Sequence, residues 1–404
     1  MKVVSDYFIR KNGEEYTMIP YGQAIAEHLP ELKTNSIGIK IYRFLQGGAS
    51  QEELVGLLAE SLGVNMNDKS LMSKLSIDVE SVVGFYRGHG IISGDYDRKS
   101  EEYDRIFSIG GIPIHYYGSE GLLDKKLFDF SDESKAEPGI EPMSVAVTAR
   151  RPRVLTMGNI ILRTEDIIIT ADVESYHIIY LSYRYVRELH YLKRGGMTTI
   201  FVAREPENAE LDRVSEGTGL SPRDEVFFAM RTAYLLYAAR MGRFALHSAS
   251  VIYNDKLYLF SAPAGTGKTT HIKLWNQRFK TPTANGDINL IAIEGQKPYV
   301  YGIPWCGTSE VYDVKKRPLG GIILLERGKE DRIEELGYED KCRLVRLRLI
   351  TPAWDNRMIY DNIEFTESLG RITNIVRLYA TMEPAAAECA KAEIDKWNVN
   401  EDLP

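Results

Sequence analysis

The chain contains, between residues 261 and 270, the sequence Ser261-Ala262-Pro263-Ala264-Gly265-Thr266-Gly267-Lys268-Thr269-Thr270. This stretch fits the phosphate-loop pattern, with Ala262 in the place of the usual first glycine. The apolar run 257–260 before it predicts a buried strand. After it, Ile272, Trp275 and Phe279 recur at the spacing of an amphipathic helix. A strand, a glycine-containing loop and a helix, in that order, are the context that this motif needs.

The glycines explain why such a loop binds phosphate. Gly265 and Gly267 let the backbone turn tightly and approach a polyphosphate closely, and the N–H groups at the helix start attract the anion. Lys268 would reach the outer phosphates, and the Thr269 hydroxyl would ligate Mg²⁺. A glycine-rich turn without a ligand is the alternative. The predicted nucleotide-binding residues are Pro263, Ala264, Gly265, Thr266, Gly267, Lys268, Thr269 and Thr270.

Length and composition narrow the class of protein. With 404 residues, 44% of them hydrophobic and 26% charged, the chain predicts two or three globular domains. A formal charge of −7 argues against a general nucleic-acid binder. The three cysteines form no CxxC pair, which suits a reducing compartment and disfavours a structural zinc site. Neither a secretion signal nor a membrane-length apolar run occurs. We therefore expect a cytoplasmic protein without a membrane partner; a homo-oligomer stays open.

Residues 1–98 predict a hairpin followed by three helices. The segments 7–10 and 15–18 flank Lys11-Asn12-Gly13-Glu14, and Asn-Gly is a strong hairpin signal. Apolar residues at helical spacing then mark three helices: Ile37, Ile41, Phe44 and Leu45; Leu54, Leu57, Leu58 and Leu62; Leu75, Val79, Val82, Val83 and Tyr86. This segment is predicted to be a small α+β domain.

This order of elements, with residues 44–54 at its centre, resembles the PqqD-like domains. Those are winged-helix-like modules that recognise the leader part of ribosomally made precursor peptides. The resemblance implies that a leader peptide adds a strand to the edge of the N-terminal hairpin. A helical domain used only for packing or dimerisation is the alternative. A DNA-binding winged helix is disfavoured because the third helix is acidic and apolar, with Lys74 and Arg87 far apart.

Residues 97–106 are charged and predict a linker, and residues 106–220 predict a β-rich subdomain. Short apolar runs separated by polar turns mark strands at 106–109, 145–147, 159–162, 166–170, 177–181 and 198–202. The acidic segment 131–142 predicts a loop. We find no cluster of chemically reactive residues in this part of the sequence.

Residues 221–404 are predicted to form the phosphate-loop domain with C-terminal helices. Ser221, followed by Pro222 and Asp224, predicts the start of a long helix. Near the end, Leu369, Ile372, Ile375, Val376 and Tyr379 predict one helical stripe, and a last helix is expected from Pro384 to about Trp397. Arg371 and Arg377 fit a solvated helix face better than a nucleotide contact.

Two residues are candidate partners of the loop. His247 is predicted to start a strand that pairs with the loop strand, which would bring it near bound phosphates; a structural histidine is the alternative. Asp287 lies 18 residues after Thr269, one loop-helix-strand unit away. A carboxylate there would hold Mg²⁺ or take the proton from an attacking hydroxyl. In Asn285-Gly286-Asp287 it could equally be a turn residue.

Two further segments are weaker candidates. Residues 301–309 predict a shaped loop beside a site, in which Cys306 serves packing or substrate shape because no histidine is near it in sequence. Residues 319–328 predict a strand that ends in Glu326, as in many phosphate-loop ATPases. Arg327 would stabilise transferred phosphate charge, although an exposed arginine is the commoner case.

The order of His247, the hairpin, the loop and Gly286-Asp287 resembles HPr kinase/phosphorylase and its relatives that phosphorylate peptides in lasso-peptide pathways. The resemblance covers residues 106–335 and is specific over 246–291. It implies an α/β fold shared with phosphoenolpyruvate carboxykinase, and transfer of phosphate from Mg-ATP to a serine or similar hydroxyl. His247 would then orient the catalytic acid, Lys268 would bind phosphate, and Thr269 and Asp287 would serve metal or base.

The chain departs from that family in two ways. The family has paired acids where this chain has Gly286-Asp287, so Asp287 does both jobs or another acid, such as Asp313 or Glu326, joins it. The family's C-terminal signature is also missing, which makes HPr itself an unsuitable substrate.

Together the two resemblances predict a kinase that captures a precursor peptide and phosphorylates it with ATP and Mg²⁺. The alternatives are an ATPase or switch that binds peptide for another enzyme, and a small-molecule kinase. The choice between ATP and GTP stays open.

Overall fold

The structure is a computed structural model. It describes residues 2–3, 7–13, 15–26, 29–47, 49, 51–89, 91–93, 103–149, 158–203, 211–215, 217–263 and 265–401. The chain divides into two compact units: one comprises Met1–Glu102 and Thr148–Met157, the other Tyr103–Val147 and Gly158–Pro404. The predicted loop residue Ala264, and Asp97–Glu102 of the predicted linker, lie outside the described residues.

The first unit contains five strands and four helices in its described part. In chain order they are β1 (Lys2–Val3), β2 (Tyr7–Asn12), β3 (Glu15–Pro20), α1 (Gln23–Ala26), β4 (Leu32–Thr34), α2 (Ser36–Gln46), α3 (Gln51–Leu62), α4 (Lys69–Gly88) and β5 (Ile92–Ser93). The predicted hairpin and the three longer helices are confirmed. Their apolar faces form one core that includes Ile41, Tyr42, Leu54, Leu58 and Tyr86.

The hairpin belongs to a three-stranded sheet in the order β2-β3-β4. Strand β4 pairs antiparallel with β3 from Tyr16↔Thr34 to Met18↔Leu32. The side chain of Asn35 then caps α2 by accepting a hydrogen bond from the N–H of Gly38 at 2.9 Å. Because β4 covers one edge of the hairpin, β2 is the edge strand within the described residues.

The second unit begins with an eight-stranded sheet. Its strands are β6 (Arg105–Ile109), β7 (Ile112–Tyr117), β8 (Met143–Thr148), β9 (Asn159–Arg163), β10 (Ile167–Ala171), β11 (Ser175–Tyr180), β12 (Val186–Leu192) and β13 (Met197–Val202), in the spatial order β6-β7-β8-β13-β12-β11-β10-β9. All six predicted strands are present, and β7 and β12 are additional. Strand β6 starts at Arg105, so the linker predicted to extend to residue 106 is wrong at its end.

A second, mixed sheet follows and carries the glycine loop. Its elements are α5 (Pro222–Arg240), β14 (Arg243–His247), β15 (Ala249–Tyr253), β16 (Lys256–Ser261), α6 (Lys268–Phe279), β17 (Thr283–Asn285), β18 (Ile288–Glu294), β19 (Lys297–Tyr301), β20 (Arg317–Arg327), β21 (Arg332–Glu335), α7 (Tyr338–Arg346), α8 (Asn356–Ile372), β22 (Ile375–Ala380) and α9 (Pro384–Glu401). The strand order is β14-β18-β19-β20-β16-β15-β17, with β22 beside β20 and β21 beside β22.

Helix α5 joins the two sheets of this unit. Ser221 and Asp224 form a reciprocal capping box at its start, as predicted. The Tyr234 hydroxyl donates to the carbonyl of Ile109 in the first sheet at 3.0 Å. The indole of Trp305, in the second sheet's region, donates to the carbonyl of Phe227 at 3.1 Å. The helix is buried along most of its length because both sheets pack against it.

The predicted helical stripe from Leu369 to Tyr379 is wrong. Helix α8 ends at Ile372, and Ile375–Ala380 is a strand that pairs in parallel with β20, from Ile322↔Ile375 to Arg327↔Ala380. A buried parallel strand is apolar on both faces, so its residues also fit a helical spacing by chance. No helix in the described part of the chain is both long and apolar enough to cross a membrane.

Candidate active site

The glycine loop lies between a buried parallel strand and the start of a helix. Strand β16 pairs in parallel with β20, with Ser261 opposite Leu324. Gly265 has φ +74° and Gly267 has φ +108°, conformations that favour glycine. Gly267 precedes α6 and has no side chain to cap it. The first N–H groups of α6 are therefore available to an anion.

Lys268, the first residue of α6, is the buried cation of the site. Its side chain is 11% exposed, and its Nζ lies 3.8 Å from Oδ1 of Asp287. Among the described residues this Nζ has no hydrogen-bond partner. Burial lowers the pKa of Lys268, and the Asp287 carboxylate opposes that shift. A desolvated ammonium without a close partner is favourable for binding phosphate oxygens.

Asp287 lies between β17 and β18 and is held by its backbone. Its N–H donates to Oδ1 of Asn285 at 2.9 Å, and its carbonyl accepts from the N–H of Ser248 at 3.0 Å. The carboxylate Oδ1 is 3.3 Å from Nε2 of His247. The hydrogen bond with His247 and the charge of Lys268 lower the pKa of Asp287, against the effect of burial. The carboxylate is therefore ionised at neutral pH.

His247 reaches this position by a different route from the predicted one. It ends β14, which pairs with β18 so that His247 is opposite Ile288. Strand β16 pairs with β15 and β20 and not with β14. The predicted pairing of the histidine strand with the loop strand is therefore wrong. The carbonyl of His247 nevertheless accepts a hydrogen bond from Ser261 Oγ at 2.7 Å, which fixes it beside the start of the loop.

These three side chains line one cavity together with the loop and helix α6. Pro263, Gly265, Gly267 and Thr269 contribute the loop side, and Lys273 and Asn276 continue it along α6. The opposite wall is the segment that contains Cys306, Thr308, Ser309 and Val311. The cavity has two lysines and one aspartate among its lining residues, a balance that suits a polyphosphate.

Two glycines allow the opposite wall to pack against Asp287. A Cβ on Gly307 would lie 2.9 Å from Cβ of Asp287, and Gly307 has φ +61°. A Cβ on Gly286 would lie 2.2 Å from Oγ of Ser309. An acidic side chain at position 286 therefore has no room while Ser309 holds its place, which gives a physical reason for the single acid at this turn.

Of the weaker candidates, Cys306 lines the cavity, whereas Asp313, Glu326 and Arg327 are not among its lining residues. Asp313 binds Arg317, with 3.2 Å between Oδ2 and Nε, and is not a lining residue. Glu326 lies near the carboxyl end of β20. Arg327 donates to the carbonyl of Gly265 at 2.5 Å, so it contacts the loop backbone. Burial raises the pKa of the Cys306 thiol to about 11, so this thiol stays protonated.

Arg371 and Arg377 are engaged away from the loop. Arg371 lies 3.5 Å from Glu367 on the same helix, and Arg377 lies 2.6 Å from Glu334. Arg371 lies on an exposed helix face as predicted, whereas Arg377 lies on strand β22 with a side chain that is only 18% exposed, so the predicted helix face is wrong for Arg377. Thr266 and Thr270 belong to the loop and to α6 but do not line the cavity.

Asn285 positions two parts of the site, a role that its sequence context alone did not assign to it. Its Oδ1 accepts from the N–H groups of Asp287 and Ile288, and its Nδ2 donates to the carbonyl of Trp305 at 3.2 Å. It therefore fixes both Asp287 and the opposite wall. The signal was present, because an asparagine two residues before an aspartate commonly forms this kind of side-chain turn.

No family model and no curated protein matches this chain. Among solved structures, it is similar to the Hpr(Ser) kinase/phosphatase from Coxiella burnetii, with 11% sequence identity and a TM-score of 0.23. The match covers 38% of this chain and 98% of that chain. At this TM-score the similarity assigns neither a detailed fold nor an activity.

Proposed function

We propose that this chain is a kinase that transfers a phosphoryl group from a nucleotide, ATP, to a hydroxyl of a peptide. The observation that carries the proposal is the position of Asp287 between His247 and Lys268, beside the uncapped start of α6. Phosphoryl transfer needs an anion site, a cation on the transferred group and a carboxylate beside the acceptor. These three features line one cavity.

The loop and Lys268 bind the donor in this proposal. Backbone N–H groups of the loop and of α6 face the phosphates, and Lys268 neutralises the outer ones. The Lys268 ammonium lies 3.8 Å from the Asp287 carboxylate, close enough to stabilise its charge. When a phosphate of the donor binds Lys268, Asp287 loses a stabilising cation and becomes a better proton acceptor.

Asp287 then accepts the proton of the attacking hydroxyl, and His247 keeps its carboxylate oriented. The His247 ring lies against Oδ1, which leaves Oδ2 for the acceptor. Because burial would otherwise favour the neutral acid, the hydrogen bond from His247 keeps Asp287 ionised. The acceptor enters along the wall formed by Thr308, Ser309 and Val311.

The available protein ligands fit Mg²⁺ only when a nucleotide supplies further ligands. In the described part of the chain no group of three or more His, Cys, Asp or Glu side chains could hold a metal ion. Mg²⁺ at nucleotide sites is commonly held by one or two protein oxygens, phosphates and water. The Thr269 hydroxyl would be one protein ligand, and the Asp287 carboxylate would be a second one in place of its role as base. The ion would neutralise charge that develops on the phosphates.

We further propose that the first unit captures a precursor peptide along the free edge of β2. Phe8, on β2, is 60% exposed, and Tyr7, Ile9 and Tyr42 line the same groove. An extended peptide would add a strand to this edge and place apolar side chains in the groove. Strand β4 occupies the other edge of the hairpin, which leaves β2 as the side for strand addition within the described residues.

The decisive experiment is to incubate the full chain with a candidate leader-containing peptide and Mg-ATP, and to follow the peptide mass. We expect the mass gain of one phosphate. The Lys268→Ala variant is the control and should give none. If ATP binds but no peptide with a leader gains mass, the kinase proposal fails.

An ATPase or switch is the second candidate, favoured by the position of Glu326 near the end of β20, next to the loop strand. It predicts release of free phosphate without phosphopeptide. Glu326→Gln would abolish this release if the second candidate holds, and would leave peptide phosphorylation in place if the first does.

A further inference from the structure

A second cavity lies away from the glycine loop, between the first sheet of the second unit, helix α5 and helix α8. It encloses about 90 Å³ and opens to solvent on one side. Its floor is apolar and includes Tyr176, Leu236, Pro352 and Met358. A cavity of about 150 Å³ accepts benzene, so this floor suits a smaller, aliphatic group.

Two of the charged residues around this cavity already make hydrogen bonds within the chain. The Asp355 carboxylate caps α8 by accepting from the N–H of Met358 at 3.0 Å, and it also accepts from the Tyr176 hydroxyl. Lys193 donates to the carbonyl of Asp172 at 2.6 Å and lies over the Tyr176 ring. The Asp355 carboxylate is therefore engaged, whereas the Lys193 ammonium uses one of its three donors.

Two arginines at the mouth are available. Arg240 and Arg357 are both exposed, and no carboxylate among the described residues lies within 4.0 Å of either guanidinium. Arg240 makes one long hydrogen bond, 3.5 Å, to the Tyr191 hydroxyl, and its guanidinium lies 5.4 Å from the centre of the Tyr237 ring. Guanidinium groups bind carboxylates through paired N–H groups, so these two residues form a site for a carboxylate.

Two neighbouring residues on α8, Asp361 and Asn362, supply oxygen atoms that accept hydrogen bonds. Asp361 lines the cavity and has no cation within 4.0 Å in the described part of the chain, although Arg357 is one turn away. Asn362 also lines the cavity and is buried, and its Oδ1 has no hydrogen-bond partner among the described residues. A buried acceptor without a donor is destabilising. An ammonium group would satisfy both residues.

We propose that this cavity binds a free α-amino acid with an aliphatic side chain. The carboxylate would bind Arg240 and Arg357 at the mouth, the ammonium group would bind Asp361 and Asn362, and the side chain would contact Leu236 and Met358. The combination of two unpaired cations, one unpaired acid, one unpaired acceptor and an apolar floor matches a zwitterion with an apolar side chain. This site is separate from the kinase cavity and does not depend on the proposed kinase activity.

L-leucine is the probe, titrated into the full chain by calorimetry and by ligand-observed NMR. Three analogues each remove one recognition group: 4-methylpentanoate lacks the ammonium, L-leucinamide lacks the carboxylate and glycine lacks the side chain. We expect saturable binding of L-leucine and affinities about tenfold or more lower for each analogue. The proposal is overturned if L-leucine shows no saturation up to about 10 mM, or if any analogue binds equally well.

Two substitutions test the assigned roles independently of the analogues. Arg240→Gln should weaken L-leucine about tenfold and leave L-leucinamide unchanged, because the amide does not use the guanidinium. Asp361→Asn should weaken L-leucine and leave 4-methylpentanoate unchanged. Arg371→Gln, an exposed arginine near the other end of the same helix, is the matched control and should bind L-leucine as the unaltered chain does. Equal binding by Arg240→Gln and Arg371→Gln would contradict the proposal.

Discussion

Asp287 owes its position to the backbone on both sides of it. Its N–H is held by Asn285 and its carbonyl by Ser248, while its carboxylate lies between a histidine and a lysine. Such a carboxylate has little freedom to rotate away from the acceptor. The same contacts explain why its pKa is lowered although it is partly buried.

Asp287→Asn should therefore stop phosphoryl transfer, because the amide cannot accept the hydroxyl proton and is a poor metal ligand. We expect a loss of peptide phosphorylation of about 10²-fold or more, measured by mass spectrometry at saturating ATP. Asp313→Asn is the control, since Asp313 binds Arg317 and does not line the cavity. Near-normal turnover of Asp287→Asn would exclude its role as base or metal ligand.

Gly286→Ala tests the packing beside that carboxylate. The added Cβ would lie 2.2 Å from Ser309 Oγ, so the wall segment must move. We expect a destabilisation of about 1–3 kcal/mol, measured by chemical unfolding, together with lower turnover. Gly337→Ala, where a Cβ meets nothing within 4 Å, is the matched control.

Adding Ser309→Gly to Gly286→Ala should recover part of the lost stability, since the clash is removed. Strictly additive effects of the two substitutions would show that the contact between positions 286 and 309 is not the cause.

At the scale of elements, a short segment after α7 holds the strand that carries His247. The N–H of His247 donates to the carbonyl of Arg348 at 2.9 Å, and the N–H of Ile350 donates to the carbonyl of Ala245 at 2.9 Å. Thr351 Oγ1 accepts from the N–H of Ala245 at 2.8 Å. This segment serves β14 as a pairing partner on the side away from β18.

Thr351→Val keeps the side-chain shape and removes the acceptor. The buried N–H of Ala245 is then unpaired, so we expect a loss of about 1–3 kcal/mol of unfolding free energy, measured with urea. An unchanged stability would mean that β14 is held by its strand pairing alone. The comparison is the unfolding free energy of Thr164→Val, because Thr164 is an exposed residue.

Two histidines face each other across strands β11 and β12. His177 is paired directly with His190, and their rings are stacked with centroids 4.3 Å apart. Burial lowers the pKa of His190 from 6.5 to about 4, and the neighbouring His177 adds to this effect. Burial also lowers the pKa of His177, while Asp172 opposes the shift. Both rings are therefore neutral in the folded chain at neutral pH.

This pair should make the fold sensitive to mild acid. The unfolded chain binds protons at His190 near its ordinary pKa of 6.5, whereas the folded chain does so only near 4. Unfolding free energy should therefore fall as the pH drops from 6.5 to about 4, and level off below. His190→Phe should reduce this dependence in chemical unfolding at a series of pH values. An identical pH profile for the variant would contradict the assignment.

At the scale of the whole molecule, the two units carry separate tasks in the proposed function. The exposed apolar edge of β2 belongs to the first unit, and the phosphoryl-transfer cavity belongs to the second. Linking a peptide-binding module to a catalyst raises the local concentration of the acceptor. The substitutions that change peptide affinity should therefore differ from those that change the rate of phosphoryl transfer.

Phe8→Ser should raise KM for a leader-containing peptide about tenfold and leave kcat and the KM for ATP unchanged, because it removes apolar contact area from the groove. Steady-state kinetics with the full peptide measure this. Met66→Ser, another exposed apolar residue of the same unit, is the control and should leave all three parameters unchanged. A selective effect on ATP would contradict the division of tasks.

Local sequence patterns predicted most of the helices, strands and turns that depend on short-range signals. Asn12-Gly13, Ser221-Pro222 and the run before the glycine loop each specify a turn, a cap or a strand with their neighbours alone. Strands β7 and β12 were missed because polar residues or proline interrupt their apolar runs, although each pairs with a strand that is its neighbour in sequence. The strand β22 was mistaken for a helix because burial on both faces removes the alternation that marks a strand.

Residue type and near-neighbour spacing were enough to predict the glycine loop, its flanking strand and helix, and the candidates His247, Lys268 and Asp287. The tertiary fold sets how these side chains meet: β14 pairs with β18, which brings His247 beside Asp287. It also decided that Ser309 excludes a second acid at Gly286, and that Arg240, Arg357, Asp361 and Asn362 surround one cavity. Contacts between residues far apart in the chain depend on sheet order and packing, which local spacing does not encode.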